Sequence, residues 1–267
     1  MRPVERLSGS GSRSARPEAR IQSIGRAAAL LDELSHGRWM QLGELAEATG
    51  LQRTTAFNLV AALADVGLVE NDGRHGAYRL SLKHIAYGRA VERRLDIARL
   101  ARPVLIQLCA ETRETVNLAI PRPADVLIVE SLEGSQSVRV TAYSGTRASY
   151  HSTACGRAIM AFRPEVEQGV ISETELLPAM TPKTVTGPAQ LRQILADARR
   201  DGFVAEREEN ELGSCCVAAP ILGPGQRAQG SISIAGPASR MNDALIARLG
   251  ALLVRVLQPL SQQLGAG

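Results

Sequence analysis

The stretch Gln41–Val66, QLGELAEATGLQRTTAFNLVAALADV, constrains this chain more than any other. It reads as two short helices around a tight turn. Leu42, Leu45, Ala46 and Ala48 are the apolar positions of the first helix, and Gly50 supplies the permissive backbone of the turn. In the second helix Ala56, Leu59, Val60, Leu63 and Val66 recur at the helical period and should face a core. The opposite side carries Thr54, Phe57, Asn58 and Ala61, flanked by Arg53 and Thr55. Hydroxyl, amide and guanidinium groups near a helix N-terminus suit base edges and phosphates. Two readings fit this segment alone. One is a helix-turn-helix that lays its second helix in the DNA major groove; the other is a helical hairpin whose polar face meets water.

The flanks favour the first reading. Ser23 is placed to cap an earlier helix with Ile24, Ala27, Ala28, Leu31 and Leu34 on one face, ending at His36-Gly37. Glu44 stands where a capping box puts it, although Gln41 is a weaker cap than Ser or Thr. Behind the pair, Val69–Asn71 and Tyr78–Leu80 read as strands around a glycine-rich tip, Asp72–Gly76. Arg74 and His75 at that tip are placed to meet phosphates. Three helices followed by a basic hairpin make a winged helix-turn-helix.

Charge is distributed to match. The chain has 267 residues and a formal net charge of +4. Residues 1–101 hold 15 Lys/Arg against 11 Asp/Glu, and residues 102–267 hold 16 of each. The whole positive excess lies in the half with the candidate DNA-reading motif, as a polyanion partner requires. Residues 1–20, with five arginines and no periodicity, read as a disordered basic tail, solvated rather than bound to DNA. No apolar run reaches the ~20 residues of a membrane span, and the N-terminus lacks the apolar centre of a signal peptide. A cytoplasmic protein without membrane partners is expected.

The second half alternates between periods. Lys83–Leu95 is an amphipathic helix able to link two halves, and Ile97–Thr112 is another. Thr115–Ile120, Val126–Glu133, Val138–Tyr143, Cys215–Ile221 and Gln229–Ala235 read as strands; Ala154–Phe162, Pro188–Arg200 and Asn242–Gln263 read as helices. This is an α+β arrangement. Ser152–Arg157 runs from a strand end into a helix, where the backbone N–H groups of Ala154 and Cys155 form an anion site for a small carboxylate. An enzyme is the competing class, with His151 and Cys155, or Ser233 and a carboxylate, as nucleophile and base of a Cys/Ser hydrolase. No G-x-S-x-G elbow, P-loop or dinucleotide fingerprint accompanies them, so catalysis is not expected. Four histidines without ligand spacing and four cysteines without a C-x-x-C imply no metal, no cofactor and no disulfide framework. Adjacent Cys215 and Cys216 should project to opposite strand faces.

From Ile21 to Leu264 the chain resembles the IclR-family transcriptional regulators. The resemblance is carried by SIGRAAALLDEL, LGELAEATGLQRTTAFNLVAALADVGLVE, YRLSLKHIAYG, RLDIARLARPVLIQLCAETRETVNLAI, HSTACGRAIMAF, MTPKTVTGP, EREENELGSCCVAAPI and GSISIAGPASRMN, in the family's order. It implies a winged helix-turn-helix at 21–82, a linker helix at 83–101 and a GAF-like α/β effector-binding domain at 102–265. It also implies operator DNA and a small organic effector, carboxylate or aromatic, as partners, with a homodimer or dimer of dimers joined through the linker helix and the helix 1 surface. By similarity, Arg26 contacts phosphate, and Gln52, Arg53, Thr54, Thr55, Phe57 and Asn58 form the DNA-reading surface. Asn58 replaces a common Arg and gains the amide suited to adenine; Phe57 either touches a thymine methyl or folds back onto the wing, the second being favoured. Glu206, Cys216, Ser233 and Ala235 would line the effector pocket, with Val140 on its apolar wall. Some relatives have Asp at the place of Glu206 and Ser at that of Ala235, and Cys155 narrows the site, so the ligand should be less polar or differently shaped. A ligand-independent architectural DNA binder is the remaining alternative.

Overall fold

The computed structural model describes residues 21–73, 76–92, 96–171 and 176–266. The chain divides into two compact units between Glu92 and Arg93.

The first unit contains α1 (Gln22–Leu34), β1 (Met40–Gln41), α2 (Leu42–Thr49), α3 (Arg53–Asp65), β2 (Val69–Asn71), β3 (Ala77–Leu80) and α4 (Lys83–Glu92). Leu30, Leu34, Leu45, Ala56 and Val60 from three helices meet Met40, Val69 and Tyr78 from the strands in one core. Ser23 is not the cap of α1. Ile21 takes that place, its carbonyl accepting from Ile24 and Gly25, and Ser23 lies in the first turn. A side-chain cap contributes only about 1 kcal/mol, less than the burial of Leu30 and Leu34 that holds this helix. At α2 the Glu44 carboxylate accepts the Gln41 N–H at 2.7 Å, as a capping box requires. Gly50 then closes the helix at φ 67°. In the hairpin, Glu70 pairs with Arg79 and Asn71 with Tyr78, while β1 extends the ribbon through Met40 and Tyr78.

The second unit contains α5 (Asp96–Thr112), β4 (Thr115–Pro121), β5 (Val126–Leu132), β6 (Arg147–Ala148), α6 (Ala154–Ala161), α7 (Pro164–Ile171), α8 (Pro188–Asp201), β7 (Val204–Arg207), β8 (Ser214–Leu222), β9 (Ala228–Pro237) and α9 (Asp243–Gln263). Its strands form one antiparallel sheet in the order β6-β5-β4-β9-β8-β7. Val116, Leu118, Val217, Ile232 and Ile234 point to one face, where α5 and α9 cover them. Ala119, Ile128 and Ala218 point to the other, beneath α6 and α8. Both faces being covered explains why β8 is nearly all apolar rather than alternating. Cys215 belongs to the first face and Cys216 to the second. Among the described helices, α9 has the length and hydropathy of a membrane span, yet Ile246, Leu249, Leu253, Leu257 and Leu260 are buried against the sheet.

Val138–Tyr143, expected as a strand, is an irregular strap between β5 and β6. Its neighbour β6 is only two residues long, so no strand remains to pair with it. Side chains hold it instead: Thr115 Oγ1 donates to Val140 O at 2.5 Å, and Arg240 donates to Val138 O at 2.8 Å. β1, β6, β7 and α7 were not legible as elements, being short or lacking an apolar period.

Candidate DNA interface and effector site

In the first unit, α3 presents a polar face on a rigid base. Ala56, Val60 and Leu63 anchor it in the core, and Gln52, in extended conformation, precedes its first turn. Gln52, Arg53, Thr54 and Asn58 are exposed and Thr55 is half-buried. Arg26 on α1 is also half-buried. Neither Arg26 nor Arg53 forms an ion pair among the described residues, so both guanidinium groups are available to a phosphate. Phe57 is 50% exposed and stands outside the core cluster. An exposed ring on this face is open to an apolar contact such as a thymine methyl. Arg74 and His75, expected at the wing tip, lie outside the described residues.

In the second unit the expected pocket residues come together on the sheet face beneath α6. Strand register places Glu206, Cys216, Ala235 and Thr115 in one row across β7, β8, β9 and β4. The next row on the same face is Val204, Ala218, Ser233, Asn117 and Ser131. α6 is aligned over β9: Ser231 Oγ donates to Cys155 O at 3.1 Å near its start, and Ala228 N–H donates to Phe162 O at 3.3 Å beyond its end. Its N-terminus therefore lies towards Ser233 and Ala235. Val140, half-buried, hangs over the Thr115 end of the first row.

The electrostatics of this enclosure are specific. Thr153 caps α6, its hydroxyl accepting from Gly156 N at 3.1 Å and its carbonyl from Arg157 N at 3.0 Å. The N–H groups of Ala154 and Cys155 have no acceptor among the described residues, although the two residues are 1% and 6% exposed. Buried N–H groups without partners are rare and costly. Across from them the Ser233 hydroxyl, the Asn117 Nδ2 and one oxygen of Glu206 also lack protein partners, and each residue is at least nine-tenths buried. Among the described residues the one sealed side-chain oxygen without a hydrogen bond is Asp125 Oδ1, which pairs with Arg122 Nε at 3.5 Å instead. The unbonded atoms of Glu206, Asn117 and Ser233 therefore keep some accessible surface. Burial pushes the Glu206 carboxyl up to about 7, even though its other oxygen accepts from Glu209 N and Asn210 N at 2.6 and 3.1 Å. Burial also raises both nearby thiols, Cys155 and, by more, Cys216.

A buried ion pair braces the wall. Arg157, fully buried, holds the Glu209 carboxylate with both terminal nitrogens, and its Nε donates to His151 O at 2.6 Å. Thr184 Oγ1 donates to Glu209 O at 2.6 Å and Thr181 Oγ1 to Glu208 O at 2.7 Å, which ties the MTPKT loop to the same point. His151 contributes no base. Its Nε2 donates to Pro178 O at 2.8 Å, so Nδ1 must be the acceptor for the Ser149 hydroxyl at 2.7 Å. Burial lowers its pKa, and the Cys155 thiol turns to Thr153 Oγ1 at 3.5 Å. No His–Cys dyad is formed. Thr115, Asn117, Ser131, Arg157 and Glu209 escaped the sequence reading; Asn117, polar in the apolar run TVNLAI, was the one visible signal.

Known proteins resemble this chain over both units. Residues 23–73 match the model of the IclR helix-turn-helix domain, and residues 89–262 match that of the bacterial transcriptional regulator IclR C-terminal domain. The chain is similar to the HTH-type transcriptional regulator KipR of Bacillus subtilis, 32% identical over 83% of this chain and 88% of KipR. Among solved structures it is similar to the Thermotoga maritima IclR, with TM-score 0.74 and 27% identity over 91% of this chain and 98% of that one. An IclR homologue from Microbacterium hydrocarbonoxydans complexed with 4-hydroxybenzoate gives TM-score 0.72 and 25% identity over 89% of this chain and 99% of that one. A recognition-helix surface in one unit, a covered antiparallel sheet in the other and two family models that together span nearly the whole described chain lead to one conclusion: this chain belongs to the IclR family of DNA-binding transcriptional regulators.

Proposed function

We propose that operator binding by this regulator is set by a small organic carboxylate held between the α6 N-terminus and the polar rows of the sheet. The carrying observation is the pair of buried, acceptor-less N–H groups of Ala154 and Cys155 opposite the partnerless atoms of Ser233, Asn117 and Glu206. An anion at the helix N-terminus would satisfy the N–H groups and meet the positive end of the helix dipole. Cys216, Ala235 and Val140 supply the less polar walls, so an aromatic or short aliphatic acid fits better than a polyhydroxylated one. The bound 4-hydroxybenzoate in the Microbacterium homologue is of this class.

DNA is read by Gln52, Arg53, Thr54, Thr55, Phe57 and Asn58, with Arg26, Arg74 and His75 on phosphates. The expected linker 83–101 is shared between the two units: α4 belongs with the reading domain, and the first turns of α5, through Ile97 and Ala101, belong with the core of the effector domain. Exposed Ile21 and Ile24 at the start of α1 and Leu82, Ile85 and Tyr87 around α4 support contacts between two copies in a cytoplasmic homodimer or dimer of dimers.

The test is a gel shift of the protein's own promoter fragment, titrated with 4-hydroxybenzoate, benzoate, pyruvate and glyoxylate. At least one acid should change the shift, and Ser233→Ala should blunt that response while DNA affinity stays the same. A separate groove of about 470 Å³ lies at the end of β8, between Phe162, Leu222, Val254, Leu257 and Gln258. A dose-response that Ser233→Ala leaves intact would move the ligand there. A shift that no acid alters would favour the ligand-independent architectural reading.

A further inference from the structure

The last carbonyls of a helix have no intrahelical partner. At the end of α3 the carbonyls of Ala62, Leu63 and Ala64 accept from the N–H groups of Val66, Leu68 and Gly67, and the carbonyls of Val66, Gly67 and Leu68, which follow the helix, are taken by the segment that opens α4. Lys83 Nζ donates to Val66 O at 2.8 Å, and Ser81 Oγ donates to Gly67 O at 2.5 Å. Leu68 O accepts twice, from Ser81 N–H at 3.1 Å and from His84 Nε2 at 2.8 Å. A carbonyl only accepts, so His84 carries its proton on Nε2. The approach is close: Gly67 turns the chain at φ 74°, with Lys83 Cδ 3.9 Å from where a Cβ would stand. Tyr87 backs the contact, its ring centre 5.9 Å from the Lys83 ammonium and 6.1 Å, edge-on, from the His84 ring. The ammonium also meets the negative end of the α3 dipole. Lys83 is solvent-exposed, yet its charge is directed at the protein.

We propose that Ser81, Lys83 and His84 form a clamp that fixes the angle between α3 and α4, and that Lys83 is a positioning residue for operator recognition rather than a phosphate contact. This rests on α3 reading DNA and on α4 carrying contacts between two copies. Under that reading the clamp sets the separation and tilt of two recognition helices, and so the half-site spacing that the regulator accepts.

The experiment starts with the full-length protein selecting sites from random-sequence duplex DNA. The selected fragment is then rebuilt with its half-sites moved apart by one and two base pairs, and as a single half-site. Lys83→Met keeps the length of the side chain and removes its donor; thermal unfolding verifies the fold. The expected result is a loss of about tenfold or more on the selected spacing, under about twofold on the single half-site, and an unchanged salt slope. Lys83→Arg, which keeps a donor, should restore the spacing preference. His84→Leu repeats the test at the other end of the clamp if Lys83→Met is unstable. An equal loss on every fragment, with a salt slope lower by about 1, would make Lys83 a phosphate contact and overturn the clamp. An unaltered spacing preference in a folded Lys83→Met protein would overturn it as well. If the wild-type protein selects no sequence, the DNA-reading role of α3 falls first and the clamp with it.

Discussion

Glu206 shows how one carboxyl can be shaped by its place in a sheet. Its Oε1 is held by two backbone N–H groups, which favour the anion, yet burial outweighs them and lifts the pKa from 4.5 to about 7. The folded state therefore binds a proton more tightly than the unfolded state does. Between pH 4.5 and about 7 stability should fall as pH rises, by about 3 kcal/mol at most. Glu206→Gln should flatten that decline, and urea unfolding at pH 5 and pH 8 measures it; an equally steep decline in the variant would place the proton elsewhere. On α3, Arg53→Ala should weaken binding to all DNA sequences and lower the salt slope by about 1. Asn58→Ala should instead relax preference at one base pair, a discrimination of about 1–3 kcal/mol. Competition binding with a panel of single-base variants separates the two, and an unchanged Asn58→Ala profile would remove Asn58 from the reading face.

Among the elements, α6 carries the most consequence for its eight residues. All eight are buried, and the helix is held at its N-terminus by the Thr153 cap and the Arg157–Glu209 pair. Removing one member of a buried pair strands the other charge, at a cost of about 3–5 kcal/mol. Glu209→Ala should therefore lower the urea midpoint sharply, and Arg157→Met added to it should recover much of the loss. If the double variant is no more stable than the single, the pair is not what braces this wall. The existence of α6 was legible from HSTACGRAIMAF, because a cap followed by a small-residue helix is a local pattern. Its brace was not legible: Arg157 and Glu209 are 52 positions apart, and only the loop carrying Glu209 brings them together. The strap at 138–143 misled for a related reason. Its sequence alternates like a strand, but a strand forms only beside a partner, and the two-residue β6 offers none.

At the scale of the whole molecule, the charge excess belongs to residues 1–101 while residues 102–267 are balanced. Operator affinity should consequently fall steeply between 50 and 200 mM salt, by about 10³-fold or more if six or more phosphates are contacted. Effector affinity in the neutral half should change far less, and parallel DNA and ligand titrations over that salt range test the contrast. Comparable salt sensitivity of both would mean that charge is not partitioned in function as it is in sequence.

The sequence by itself determined the reading helix, the wing hairpin, the α+β character of the second half and the family. Each of these rests on short-range periodicity, on turn residues such as Gly50, or on motifs contiguous in the chain. Only the tertiary structure decided that Asn117 and Ser233 share a row, that Glu206 stands two strands from Ala235, and that Lys83 is directed at α3. Strand register and the close approach of distant segments depend on contacts across the fold. A local pattern carries no record of which strand will lie beside which.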